Sequence, residues 1–385
     1  MEEEDIKKQA KEDAENLWRN ELESPFLEKI NESLLEMMKN IESKFSYYEK
    51  IFNPYLNFKR VDIREINKMY VKLTLLNDSN PLINLIIQCL TNIKTFCAYY
   101  VNPAKEEKIL DKSKKNPNNT YLGPSYLQLL KDIWGDQRGE YSPIEIHKVL
   151  KKLMGNNYNS NNSGLIMKFI LDQLYSELNL DNNQQINLEY FKNLDFLPSN
   201  KILIASYPYI RTKKICLSCH NTVDQFFIAS PVINLYLDAN NGKTNKFILE
   251  KNLNELLIER GKGQIVGHCI KCKRQQNIGI IKYFHTPCEI AIFYIDRKND
   301  PNHNISLSYG YSMKLVKKDY RLITVIKDLP FNNSSSLPYI AYIRSMYNHN
   351  WFSYDNKDLK LCNNRNEILD DKYTSLLIYS FSGSN

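Results

Sequence analysis

The chain has 385 residues, 43% of them hydrophobic, and a formal charge of +7. That length and apolar content allow a large core, in one domain or two, and exclude a disordered chain. The first fifty residues hold fourteen acids against eight bases, so the remaining 335 carry +13, a spread-out excess that gives modest support for an acidic or nucleic-acid-rich neighbourhood and no evidence of direct base readout.

No window of about eighteen apolar residues occurs, and the N-terminal "MEEEDIKKQAKEDAENLW" is acidic where a secretory signal is basic. The expectation is a soluble, intracellular protein with no membrane partner. Eight cysteines fit a reducing compartment, because four fall in two C-x-x-C pairs and four stand among apolar residues.

Residues 27–48 place Leu27, Ile30, Leu34, Met38, Ile41, Phe45 and Tyr48 three and four apart, which predicts an N-terminal helix that docks on its own domain or on a partner. "NPYLNF" at 53–58 breaks it. A second helix starts with Ser79 or Asn80 as cap and Pro81 in the first helical position, and "LINLIIQCLTNIKTFCAYY" is apolar nearly all round, hence buried. Residues 102–125, with Lys112, Lys114 and Lys115, read as a mobile surface loop. Helices resume at "YLQLLKDIW" and "SPIEIHKVLKKLM", where Ser142, Pro143 and Glu145 supply cap, first-turn proline and capping-box acid. "NNYNSNNS" reads as a loop before another amphipathic helix, "GLIMKFILDQLYSEL".

After about residue 200 the period changes to that of strands. "KILIAS", "PVINLYLD", "IGIIKYF", "EIAIFYID", "SLSYGYSMKLV", "YRLITVIK", "YIAYIR", "WFSY" and "SLLIYSF" are β-branched and aromatic runs separated by turn formers. Helices first and strands afterwards predict an α+β fold with segregated layers.

Cys216 and Cys219 in "ICLSCHN", with Cys269 and Cys272 in "HCIKCKR", form two C-x-x-C pairs forty-nine residues apart. Two residues between thiolates let a tight turn aim both sulfurs at one ion, and two such turns complete a closed tetrahedral site, so one structural Zn²⁺ is expected. His220 and His268 flank the pairs as alternative ligands. The segment between the pairs, containing "VINLYLD" and "ILEKNLNELLI", reads as one long excursion clipped at its tips by the ion.

The order of these features resembles the ubiquitin-specific proteases, a family of cysteine hydrolases. The resemblance covers roughly residues 68–382 and rests on "NLIIQCL", "FILDQLYSEL", the paired C-x-x-C, "EIAIFYIDR" and "YRLITVIKD…YIAYIR…NWFSYDN…SLLIYSF". It implies a papain-like fold with a helical thumb (about 68–195), zinc-ribbon fingers (about 200–285) and an antiparallel palm sheet (about 286–382), within a domain at 59–385 behind a helical extension at 1–58.

The family's first box resembles G-L-x-N-x-G-N-T-C-Y-x-N-S-x-L-Q-C-L. Laid against it without gaps, the chain reads "LTLLNDSNPLINLIIQCL". Asn84, Gln88, Cys89 and Leu90 match, Leu76 stands at the oxyanion asparagine with Asn77 one residue away, and Pro81 stands at the nucleophile. Proline has no nucleophile and no backbone N–H, yet suits a helix's first turn. The second box resembles G-H-Y-x-A-Y followed by W-Y-x-F-D. Here "LPYIAY" puts Pro338 at the general base, Trp351 and Tyr354 match, and Asp355 holds the place of the acid that would orient the missing histidine. The glutamine- and acid-containing stretch before the later thumb helix reads "SNNSGLI". Cys89 and Cys97 lie further into an apolar helix and read as packing residues, and His349 reads as an exposed turn residue.

The resemblance therefore implies a pseudoenzyme that binds or scaffolds a protein partner. Ubiquitin or a ubiquitin-like protein is the alternative partner, and a residual protease with relocated residues is a third reading. "KDIW…YSPIEI" and the lost cysteine and histidine are similar to the family's spliceosomal, tri-snRNP-associated branch, which implies a ribonucleoprotein partner and the nucleus. Members of that branch usually carry a separate N-terminal zinc domain and commonly lack the paired C-x-x-C present here.

Overall fold

In the computed structural model the chain divides into two compact units, Met1–Asp62 and Ile63–Asn385. The structure describes residues 72–75, 79–93, 96–97, 100, 107, 109–111, 113–114, 119–135, 140–178, 207–238, 246–258, 265–286, 288–300, 305–329, 338–345, 349–369 and 372–382. The helix expected at 27–48, the break at 53–58, the strand "KILIAS" and the position of Leu76 lie outside the described residues.

Among the described residues the first lobe includes the helices α1 (Pro81–Leu90), α2 (Gly123–Gly135), α3 (Ile144–Met154) and α4 (Ser163–Leu178). Every residue of α1 from Leu82 to Leu90 is buried, as its all-round apolar sequence requires. Beside α1, β1 (Lys72–Leu73) pairs in parallel with β2 (Glu140–Tyr141).

The long run of strands begins with β3 (Tyr209–Cys216), β4 (Thr222–Ala229), β5 (Ile233–Asp238) and β6 (Lys246–Ile248). After α5 (Leu249–Leu256) come β7 (Ile265–Cys269), β8 (Arg274–Thr286), β9 (Ile290–Asn299), β10 (Ser306–Ser308), β11 (Ser312–Leu315) and β12 (Lys318–Asp328). The chain ends through β13 (Tyr339–Arg344), β14 (Trp351–Tyr354), β15 (Leu359–Leu361), α6 (Arg365–Leu369) and β16 (Thr374–Phe381).

Among the described residues β6 and β10 pair in parallel by themselves, and two sheets organise the other strands of this run. The larger runs β15-β14-β13-β12-β16-β9-β5 with β11 added on β12, and the smaller runs β4-β3-β8-β7. Alternation along the larger sheet explains how it serves two cores. Ile290, Ile292, Leu376 and Ile378 pack with the helical lobe, while Ala291, Phe293, Leu377 and Tyr379 pack on the opposite face with α5 residues Leu249, Leu253 and Leu256. Each fully buried aliphatic side chain contributes roughly 1.5–3 kcal/mol, so a one-residue slip of β16 would forfeit several such terms at once.

Several local expectations change. The segment "VINLYLD" becomes β5 at the edge of the larger sheet, parallel to β9, because its alternate residues Ile233, Leu235 and Leu237 complete the second core. The stretch between the cysteine pairs is therefore not a single excursion clipped at its tips. Nor is 102–125 wholly a loop: Glu107, Ile109–Asp111, Ser113 and Lys114 are helical, and α2 starts at Gly123. Ile109 supplies the buried contact that orders this piece despite its polar composition.

At α3 the N-cap is Pro143, with no side-chain cap bond, rather than Ser142, and Glu145 pairs with Lys148 at 2.8 Å instead of closing a capping box. "NNYNSNNS" contains a 3₁₀ turn, Gly155–Asn159, because Tyr158 is drawn into the core.

Candidate functional site

The first turn of α1 sits where the helical lobe meets the larger sheet, with α1 packed against β13. Of the two cap candidates, Ser79 and Asn80, it is Asn80 that caps it. Its Oδ1 accepts from Leu82 N at 2.8 Å and Ile83 N at 3.3 Å, and its carbonyl accepts from Asn84 N at 3.2 Å. Pro81 occupies the first helical position and brings no N–H. The four amide positions that normally make a helix start an anion site are thus satisfied or absent.

Asn80 is itself held. Its Nδ2 donates to Tyr158 O at 2.7 Å and Ser160 O at 3.2 Å, and its N–H reaches the Tyr158 hydroxyl at 3.4 Å. That hydroxyl lies 2.7 Å from His147 Nδ1. The other ring nitrogen, Nε2, is a buried atom with no hydrogen-bond partner. Burial accordingly lowers the His147 pKa to about 4 and keeps the ring neutral. Sequence reading passed over His147 and Tyr158. His147 could have been found from its place beside the buried stripe Ile146, Leu150 and Met154 of α3.

The matched box residues form a clamp between α1 and the sheet. Asn84 Nδ2 donates to Tyr354 Oη at 2.8 Å and to Asn356 Oδ1 at 2.9 Å, the Tyr354 hydroxyl donates to the Leu73 carbonyl, and Leu73 N–H donates to Gln88 Oε1 at 2.9 Å. Asn84 and Gln88 are fully buried, so these bonds satisfy groups that would otherwise be costly.

Pro338 is half-buried at the head of β13, where its carbonyl accepts from Leu329 N at 2.6 Å. Asp355 spends its Oδ1 on its own turn, accepting from Lys357 N at 2.9 Å and Asp358 N at 2.7 Å. The next residue, Asn356, buried and at φ 70°, faces α1 in its stead. Asp328, paired across β12 and β13 with Tyr339 next to Pro338, accepts from Ser375 Oγ at 2.9 Å. Burial raises its pKa to about 6 against the lowering effect of that bond.

Thiols stand away from this helix start. Cys89 is completely buried on the last turn of α1, where burial pushes the thiol well up. Cys97 donates to Thr91 O at 3.1 Å. His349 is exposed in the turn between β13 and β14, at φ 61°.

At the far end of the smaller sheet Cys216, Cys219, Cys269 and Cys272 converge, with ligand atoms all within 4.8 Å of one another. The two turns are built alike: His220 N donates to Cys216 O at 2.8 Å and Lys273 N to Cys269 O at 2.7 Å, and both residues stand at φ 55°. The sulfurs pair across the turns, Cys216 to Cys272 at 3.8 Å and Cys219 to Cys269 at 3.5 Å. Four soft donors in two mirrored turns could hold one tetrahedral zinc ion. The apolar core there is small, Ile278 and Val223 beside the cysteines, which fits a sheet end that draws its stability from a metal. His220 and His268 are exposed beside the four and outside the cluster.

A helical thumb, a palm sheet and a four-stranded finger sheet ending in paired cysteine turns define the papain-like fold of the ubiquitin-specific proteases. The chain belongs to the ubiquitin carboxyl-terminal hydrolase family, whose sequence model matches residues 77–379. No curated protein matches by sequence.

Solved structures share the fold at low identity. The SAGA DUB module Ubp8/Sgf11/Sus1/Sgf73 bound to monoubiquitin matches at 14% identity and TM-score 0.61, over 89% of this chain and 76% of that one. The same module bound to ubiquitin aldehyde matches at 14% identity and TM-score 0.58, over 90% and 76%. A yeast SAGA DUB module carrying an Sgf73 mutant matches at 14% identity and TM-score 0.58, over 88% and 75%.

Proposed function

We propose that the chain is a non-proteolytic member of its family that works by binding a protein partner, with ubiquitin or a ubiquitin-like protein as the ligand of the palm and fingers. The observation that carries this is the start of α1. Pro81 stands in register with the family's nucleophile, and Asn80 occupies the N–H groups that would stabilise a thiolate or an oxyanion. Pro338 in register with the general base removes the second requirement, and losing nucleophile or base alone nearly abolishes such catalysis. Related solved structures hold monoubiquitin and ubiquitin aldehyde, which supports the choice of ligand.

The test has two parts. A ubiquitin vinyl-sulfone probe is expected to leave the chain unlabelled, and ubiquitin is expected to bind reversibly by calorimetry. Covalent labelling lost on Cys89→Ser or Cys97→Ser would overturn the non-proteolytic reading. Absence of binding to ubiquitin and ubiquitin-like proteins would leave a scaffold that reuses only the fold. The solved relatives are multi-subunit modules, and a place in a nuclear, ribonucleoprotein assembly is the narrower form of this reading, supported by the basic balance after residue 50. Purification from the native cell with splicing proteins and RNA tests it.

A further inference from the structure

Exposed apolar side chains are concentrated at one place in the described structure. Eight large hydrophobic residues are exposed, and four of them lie in the two cysteine-bearing turns and the adjoining edge strand: Leu217 at 53%, Ile265 at 39%, Val266 at 60% and Ile270 at 76%. Leu217 and Ile270 are the first residues inside their respective C-x-x-C turns, so the sulfur cluster holds them close together at the tip.

Register sets the geometry of this patch. Val266 pairs with Asn277, and Ile215 with Gly279, so residues 266, 277 and 279 point to one face. Leu217 lies on that face too, because a Cβ at Gly279 would come within 2.8 Å of its Cδ2. Glycine at 279 thus gives Leu217 a flat seat beside Val266, with Ile270 at the rim.

Charge around the patch has one sign. Among its described residues the four-stranded sheet and its two turns carry seven Lys or Arg and one carboxylate, Asp224. That carboxylate is engaged by Lys214 at 3.4 Å. Lys271, Lys273 and Arg274 are exposed next to Ile270. Isolated exposed aliphatics are ordinary, whereas a cluster on a rigid tip inside a basic field fits a partner surface.

We propose that this fingertip is a docking site for an acidic protein segment bearing aliphatic side chains, whose apolar residues seat on Leu217, Val266 and Ile270 while its carboxylates meet Lys271, Lys273 and Arg274. Charge complementarity selects the acidic partner. The aliphatic character of the tip selects protein over single-stranded nucleic acid, which binds through aromatic stacking platforms.

The test pans a random peptide display library against the zinc-loaded full chain and measures the selected peptides by fluorescence anisotropy. Selected sequences are expected to combine Asp or Glu with Leu, Ile or Met. Val266→Ser and Ile270→Ser should each weaken binding about tenfold, as for the loss of an apolar anchor. Lys271→Glu with Arg274→Glu should weaken it and flatten its salt dependence. These positions are exposed, and unchanged zinc content confirms that each variant is folded. Peptides without acids, failure to select any, or equal binding by the variants would overturn the proposal. So would binding of poly-uridine RNA that Ile270→Ser abolishes, or a dimer in sedimentation that Ile270→Ser dissociates.

Discussion

Two buried titrating groups, His147 near the start of α1 and Asp328 near the head of β13, pull stability in opposite directions with pH. His147 is neutral in the fold, with its pKa lowered from 6.5 to about 4 by burial. Between those values the unfolded chain binds the proton and the folded chain does not, so acidification destabilises the fold. From about pH 7.5 to about pH 5 the linkage amounts to ~2 kcal/mol lost.

Asp328 has the reverse sign. Burial raises it from 3.8 to about 6, so the folded chain binds the proton first. Its contribution is fully present below the unfolded value and is lost as pH rises through about 6. Over the same interval acidification returns ~1 kcal/mol. Tyr158 faces His147, while Ser375, Tyr294 and Tyr339 face Asp328, and none of these changes charge in the window.

The assay is urea unfolding of the zinc-loaded chain at both pH values, followed by circular dichroism, in wild type, His147→Phe and Asp328→Asn. His147→Phe should shift the pH-dependent change by ~2 kcal/mol toward stability at the acidic end, and Asp328→Asn by ~1 kcal/mol the other way. Differences of slopes are compared, so an overall loss of stability in either variant does not obscure the result. Slopes in His147→Phe indistinguishable from wild type would refute the assignment of a neutral, proton-excluding ring to this site.

Asn80→Ala should cost ~0.5–2 kcal/mol, the range for a lost N-cap, with faster hydrogen exchange in the first turn of α1. Tyr354→Phe removes the hydroxyl shared by Asn84 and the Leu73 carbonyl and should cost ~1–3 kcal/mol in urea unfolding, the penalty of buried groups left unpaired. Cys269→Ser should abolish the zinc, measured as metal per chain, and make β3, β4, β7 and β8 sensitive to protease while the larger sheet stays resistant. On the proposed reading, Pro81→Cys with Pro338→His should still not react with ubiquitin vinyl sulfone, because Asn80 continues to hold the first-turn N–H groups.

The larger strands were legible because their alternation survives in sequence. "YIAYIR" and "WFSY" are β13 and β14 residue for residue, and the cysteine spacing located the metal cluster before any geometry. Sheet membership was not legible at "VINLYLD". Alternation fixes which face is buried but not which neighbour pairs, and β5 lies beside β9, more than fifty residues away in sequence. Tyr158 was missed for a related reason. The contact of Tyr158 with Asn80 spans |i−j| = 78, and no local period reports a bond of that reach.

The polar residues that the sequence resemblance matches to the family's boxes make bonds that run across the fold. Asn84 reaches Tyr354 and Asn356 over separations of 270 and 272 residues, and Tyr354 reaches Leu73 over 281. Each tethers α1 or its neighbouring strand to the sheet, so removing one would leave a buried partner unsatisfied whether or not the protein performs chemistry. Pro81 and Pro338 differ in this respect. Neither has a side-chain group to satisfy, Pro81 replaces an N–H that a helix start leaves unpaired in any case, and Pro338 uses its carbonyl for the bond to Leu329. Under the non-proteolytic reading, substitution could therefore accumulate at the two positions that only catalysis constrains, while the clamp of Asn84, Gln88 and Tyr354 stays fixed by folding alone.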